Sequence, residues 1–288
     1  MLSPVATHRY RAAGFTLESD IAFSQLLTDP AAGNGPADIV FRIGELPPMG
    51  EGLTMRGTKF GIAALEGRRV IVSVSALAKP ETVRRIPLTG GLTGVAYQRG
   101  LLPLHASAID TGETCFAFCG EKGAGKSTLA AILAQAGYPL LCDDLTILHP
   151  DRDGGPLVWP AIMRPRLNQQ SMDLLGGAVT ALTPFAEWDL KAVTEVGEMA
   201  SYAPRRLAGV YLLGWGEPKL RRLSPLEAAT MLSRCLRKPD WLERAGTAAA
   251  IRRGWLELVS RIPIVLATRP RESSGCSALS QLLIDSWK

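Results

Sequence analysis

FCGEKGAGKSTLAAILAQAGYPLLCDD, Phe118 to Asp144, decides how this chain folds. Gly120-Glu121-Lys122-Gly123-Ala124-Gly125-Lys126-Ser127 fits G-x-x-x-x-G-K-[ST] at every position. Glycines let successive backbone N–H groups turn inward around an anion, and the helix after the loop adds its positive end. The flanks supply the context this loop needs. TCFAFCG is an apolar run ending in Gly, as expected of a strand buried on both faces, and KSTLAAILAQAG is an Ala- and Leu-rich helix ending at Gly137. YPLLCDDLTIL then starts another strand. Strand, Gly-rich loop, helix and strand form a βαβ unit.

The loop predicts nucleoside triphosphate binding. Gly120, Gly123, Ala124 and Gly125 cradle phosphates, Lys126 reaches the β- and γ-phosphates, Ser127 offers its hydroxyl to Mg²⁺, and Thr128 helps hold the α-phosphate. ATP and GTP fit this set equally. Asp143 and Asp144 lie 17 and 18 residues after Lys126. A parallel strand returning beside the loop's own strand would bring them to the phosphates. One carboxylate there serves Mg²⁺, and a second serves as base for an acceptor hydroxyl. His105, in LLPLHASAI, falls on the preceding strand, expected over Leu104–Ile109, where a lone His is commonly a hydrogen-bonded core residue. No N-K-x-D marks a small GTPase and no L-S-G-G-Q an ABC-type ATPase.

The set LHASAI, GEKGAGKST and GYPLLCDD resembles the catalytic domain of HPr kinase/phosphorylase, including the spacing of His, loop Lys and paired Asp. The resemblance covers residues 95–150 well and the rest loosely. It implies an α/β P-loop kinase domain akin to phosphoenolpyruvate carboxykinase, and transfer of phosphate to a serine. It implies Asp144 as the base, Asp143 as the Mg²⁺ partner and His105 as a neighbour tuning the carboxylates. It also implies oligomers. YRAAGFTLESDIAF, ADIVFRIGELP and QRGLLPLHASA are similar to a shorter branch accompanying peptide biosynthesis, including lasso-peptide precursors. The downstream segment that bifunctional enzymes use for dephosphorylation is not found and the N-terminal region differs from theirs, which puts HPr itself in doubt as acceptor; the acceptor implied is a small protein or precursor peptide, with a nucleotide-binding module that transfers nothing and a kinase of a small-molecule hydroxyl as the alternatives.

The 288 residues divide into a β-rich N-terminal domain, 1–90, and the P-loop kinase domain, 91–288. YRAAGFTLES, ADIVFRIGEL, KFGIAALEG and RRVIVSVSA read as strands, and LTDPAAGNGPAD as a loop. A helix over Leu92–Arg99 ends at Gly100. Later, VWPAIMRPRL reads as extended, NQQSMDLLGG as a short helix, RRLAGVYLLGW and IPIVLATRP as strands, and DWLERAGTAAAIRRGWLELVSR as helical. Ser224, Pro225 and Glu227 open another helix with a capping box.

Net charge is +5, yet residues 201–288 carry 15 basic and 7 acidic groups. That excess reads as a solvated face or as a surface for an acidic partner. Basic residues are not interleaved with aromatics as nucleic-acid binding would require. No run suits a membrane span or a secretory signal, and Cys115, Cys119, Cys142, Cys235 and Cys276 form no zinc or disulfide pattern, which points to a cytoplasmic protein. Arg164 and Arg166 are candidates to clamp a phosphate or carboxylate, and Lys191 to neutralise the transferring phosphoryl group. Trp159, Trp188, Trp215, Trp241, Trp255 and Trp287 read mostly as core or interface.

Overall fold

A computed structural model describes residues 7–23, 25–26, 35–78, 80–151, 155–176, 179–181, 191–197, 200–272 and 274–287. Trp188 and most of the 27–38 loop lie outside them. Alternation decides the first sheet. In YRAAGFTLES the strand residues Tyr10, Ala12, Phe15 and Leu17 are buried while Arg11, Thr16 and Glu18 beside them are less so. The stretch is two strands: β1 (His8–Ala12) and β2 (Phe15–Ser19) pair antiparallel across Ala13 and Gly14, both at positive φ, as a two-residue hairpin turn requires. β3 (Ile39–Ile43), β4 (Leu53–Arg56), β5 (Phe60–Leu65) and β6 (Arg69–Val74) complete a six-stranded sheet ordered β1-β2-β3-β6-β5-β4. β4, too short to show alternation, is additional to the strands expected.

Helix α1 runs Pro80–Gln98, well before the expected start at Leu92. Pro87 and three glycines lower its intrinsic propensity, but packing on the sheet outweighs that. A Cβ at Gly94 would come within 2.4 Å of the Ala64 Cβ, so the bare helix face is what lets α1 lie so close to β5. The helix ends at Gly100 as expected: Leu101 N–H donates to Ala96 O (2.9 Å) and Gly100 N–H to Tyr97 O (3.0 Å), a Schellman stop. One buried cluster contains Phe41, Leu88 and Leu92 together with Leu104, Ala117, Leu207 and Trp241, so a single core joins the first sheet to the elements beyond α1.

Two chain segments then form a long antiparallel ribbon with a break in each arm. The first is β7 (Leu102–Leu104) and β8 (Ala106–Asp110), interrupted at His105 where one continuous strand was expected. The second is β10 (Leu140–Cys142) and β11 (Thr146–His149), interrupted at 143–145. Leu104 pairs with Thr146 and Ala108 with Cys142, so the two breaks face each other. β9 (Thr114–Cys119), β12 (Leu157–Val158) and β16 (Arg205–Trp215) fill the space between the ribbon's halves, in the order β10-β8-β9-β16-β12-β11-β7. The sheet therefore curls until its two ends are joined by the ribbon itself.

Helix α2 (Lys126–Gln135) crosses from β9 to β10, but β10 does not lie beside β9. β8 is antiparallel to both and sits between them, which corrects the expected adjacent return. On α2's outer side lies a small sheet, β13 (Arg166–Asn168), β15 (Lys191–Val196) and β14 (Val179–Ala181), with helix α3 (Gln169–Leu175). Of VWPAIMRPRL, only Val158 and residues 166–167 are strand. β17 (Lys219–Arg222), helix α4 (Pro225–Ser233) with the full Ser224/Glu227 capping box, helix α5 (Ala248–Arg261), β18 (Ile264–Arg269) and helix α6 (Ser274–Trp287) complete the chain. Between α4 and α5 the stretch expected to be helical makes only short 3₁₀ turns at Pro239–Trp241 and Glu243–Ala245. β18 lies parallel to β16, and Leu279 and Leu283 of α6 pack with Leu129 and Leu133 of α2. The architecture is mixed α/β, and no helix among the described residues is long and apolar enough to cross a membrane.

Candidate active site

The loop 120–125 leaves the C-terminal end of β9 and feeds α2. Gly125 stands at φ 94, a conformation that favours glycine, and a Cβ there would push on the end of the Arg269 side chain, whose Nη2 it would meet at 2.5 Å. Lys126, 7% exposed, folds back over its own loop and donates from Nζ to Gly120 O (2.9 Å) and Glu121 O (3.1 Å). Burial pulls its ammonium below the ordinary lysine value, and the nearby Cys119, Asp143 and Asp144 act against that pull. Ser127 is half-buried on the first turn of α2. The Thr128 hydroxyl shares a 2.8 Å hydrogen bond with Ser171 of α3.

The ribbon's breaks bring the predicted acids and histidine together. Asp143, 3% exposed, accepts from the Ser107 hydroxyl at Oδ1 (2.5 Å) and from Arg166 N–H at Oδ2 (3.4 Å). Asp144 stands at φ 65, and Leu145 N–H donates across it to Asp143 O (2.8 Å). That is a γ-turn with a left-handed centre, a strained form found where a site over-determines the backbone. The turn thrusts the Asp144 carboxylate away from its neighbour and towards His105.

Arg237 closes the cluster. Its Nη1 and Nη2 donate to Asp144 Oδ1 (3.2 Å) and Oδ2 (3.1 Å), a bidentate fork. His105 Nδ1 lies 2.8 Å from Arg237 Nη1, 3.1 Å from Asp144 O and 3.2 Å from Asp144 Oδ1. With a proton, that nitrogen donates to Asp144; without one, it accepts from Arg237. The ring thus has a partner in either state. Burial pushes the Asp144 carboxyl up, but the His105 hydrogen bond and the charges of Arg237 and Arg166 outweigh it. They hold Asp144 well below the usual carboxylate range.

Sequence reasoning missed Arg237. It arrives from SRCLRKPDW, expected to continue the Ser224-capped helix through Lys238 but lying past the end of α4 at Ser233, and the backbone there docks along β7: Arg237 N–H donates to Pro103 O (3.0 Å), His105 N–H to Cys235 O (2.7 Å), and the Tyr97 hydroxyl to Arg237 O (2.7 Å). The one available signal was the basic excess of the last third, read as surface; this arginine turns inward instead. Of the other candidates, Arg166 acts on Asp144 through its charge, while Arg164 pairs with Glu195 (3.5 Å). Lys191 is exposed at the start of β15, where its carbonyl accepts from Arg166 Nη2 (3.2 Å). All five cysteines are free and buried.

No cluster of three or more His, Cys, Asp or Glu side chains suited to a metal occurs among the described residues. A nucleotide-borne Mg²⁺ needs only one or two protein oxygens, the rest coming from phosphate and water. The Ser127 hydroxyl and Asp143 suit that demand. Among the described residues each Asp143 oxygen has one protein donor, leaving acceptor capacity on both.

No protein-family model matches the chain, and no curated protein matches it. Among solved structures it is similar to the HPr(Ser) kinase/phosphatase from Coxiella burnetii, at 14% identity over 64% of this chain and 95% of that one, with a TM-score of 0.34. That likeness is distant.

Proposed function

We propose that the protein is a P-loop phosphotransferase of the HPr kinase-like kind, moving the terminal phosphoryl group of ATP or GTP to a serine hydroxyl of a small protein or precursor peptide. The observation that carries this is the meeting of Asp143, Asp144, His105 and Arg237 at the edge of the sheet where β9 delivers Lys126. A module that only bound nucleotide would have no use for a carboxylate held ionised on a strained turn.

Lys126 exchanges its loop carbonyls for phosphate oxygens and steadies the charge that spreads over the transferring group. Bound Mg²⁺, held by Ser127 and Asp143, would neutralise phosphate charge. Asp144 accepts the hydroxyl proton. Its weak basicity suits a loose transition state, in which the proton leaves late. Arg237 fixes the Asp144 orientation, and His105 stands beside it within hydrogen-bond distance. The test is mass spectrometry of seryl peptides incubated with the protein, ATP and Mg²⁺. A peptide heavier by one phosphoryl group on serine is expected; nucleotide consumed with no acceptor modified would overturn the proposal.

Arg237 gives a further check. The depressed Asp144 value makes the ionised cluster stabilising above the ordinary carboxyl range, and that contribution is lost as pH falls through the folded-state value. With Arg237→Ala the main opposing charge goes, burial acts more freely, and the carboxyl climbs. The acid limb of kcat/KM, measured from about pH 4 to 8, is expected to move to higher pH in this variant. An unmoved limb would show that Arg237 does not set the Asp144 charge.

A further inference from the structure

The edge of the sheet that carries the P-loop has two sides. β9, β16 and β18 run parallel, so Cys119, Trp215 and Arg269 all stand at C-terminal ends on one edge, with Trp215 in register with Arg269. His105, Asp143 and Asp144 lie on the β8/β10 side of β9. A triphosphate on loop 120–127 whose terminal phosphoryl group faces Asp144 must carry its nucleoside towards the other side, where β16 and β18 end.

An indole flanked by guanidiniums stands there. The Cζ atoms of Arg269 and Arg271 lie 4.5 and 5.0 Å from the Trp215 ring centroid. Trp215 is 36% exposed, and Arg271 is exposed. Arg269 is only 5% exposed and reaches the loop itself, donating from Nη2 to Ala124 O (3.1 Å) and from Nη1 to Pro270 O (2.9 Å) and Glu272 O (3.4 Å). It makes no ion pair among the described residues. A buried cation with carbonyls but no anion for partners is short of negative charge. A nucleotide phosphate beside Ala124 would supply it.

We propose that Trp215, Arg269 and Arg271 form the nucleoside shelf of the site: Trp215 and Arg271 stack the base, and Arg269 ties that shelf to the phosphate loop. This rests on the P-loop reading above and adds the ligand's orientation and base preference. Stacking on indole and guanidinium planes serves any purine and reads no base edge, so ATP and GTP are expected to bind with similar affinity.

The experiment is calorimetric titration of the full chain with ATP, GTP and inorganic tripolyphosphate, each with Mg²⁺, for wild type, Trp215→Ala and Arg271→Ala. Trp215→Ala is expected to lose about tenfold or more in affinity for both nucleotides and none for tripolyphosphate. Arg271→Ala, at an exposed position where folding is not at stake, should show the same selectivity with a smaller loss. Two results overturn the shelf while leaving the loop's role intact: wild type binding tripolyphosphate as tightly as ATP, or both variants binding ATP as wild type does. Equal losses for nucleotide and tripolyphosphate in both variants would also overturn it, as would strong discrimination between ATP and GTP. Wild type binding none of the three would overturn the P-loop reading along with it.

Discussion

Asp144→Asn is expected to lower phosphoryl transfer by about 10²-fold or more while nucleotide affinity holds or improves. The substitution suits the question because it spares the fold. Asp144 sits at φ 65, and Asn is among the few side chains that adopt left-handed backbone readily. An amide still accepts one hydrogen bond from Arg237 but cannot take up a proton from an acceptor hydroxyl. It also removes a negative charge that Lys126 senses, which relieves repulsion of the triphosphate. Single-turnover rates and a nucleotide titration separate the two effects. Turnover at the wild-type rate would remove Asp144 as the base and leave Arg237 and His105 orienting a group without a chemical task.

Lys126→Ala is expected to weaken triphosphate binding on the order of 10²-fold or more, the scale seen when one partner of a desolvated charge pair is truncated. The same change should leave the fold intact. Among the described residues the buried ammonium has only the Gly120 and Glu121 carbonyls as hydrogen-bond partners, so its removal takes away a desolvation cost as well as two contacts. Calorimetric titration with ATP reads the first expectation and thermal melting the second. Unchanged affinity in a folded variant would mean that the loop is a structural turn.

Local chemistry made the centre of the site legible. A Gly-rich loop between a buried strand and an Ala-rich helix is the pattern expected of a phosphate cradle, and the motif picked out Lys126 and Ser127 by number. The Asp pair stood out by its spacing from the loop, and His105 only by the resemblance it carries. Their meeting, however, depends on register between strands, and a βαβ pattern does not reveal that β8 intervenes between β9 and β10. Arg237 was illegible for a stronger reason: it is 93 residues from Asp144 and its segment is held by backbone hydrogen bonds that any sequence could make. Trp215 was hidden too, because RRLAGVYLLGW ends like any buried strand and only the parallel pairing with β18 shows that its last residue reaches the loop's edge. The first turns of α1 were lost because Pro87 and the glycines argue against a helix, whereas the neighbouring sheet demands one.

The paired ribbon has a bearing on how this chain tolerates change over evolution. Along the chain His105 and Asp144 are 39 residues apart, but across the ribbon they are held by the Leu104–Thr146 and Ala108–Cys142 pairs. An inserted residue at either break would slip that register and turn every later side chain of the strand to the opposite face. Length added or removed in the turns at 111–113 or 136–138, outside the pairing, would leave the meeting point where it is. Descendants of this sequence should vary in the second way and not in the first.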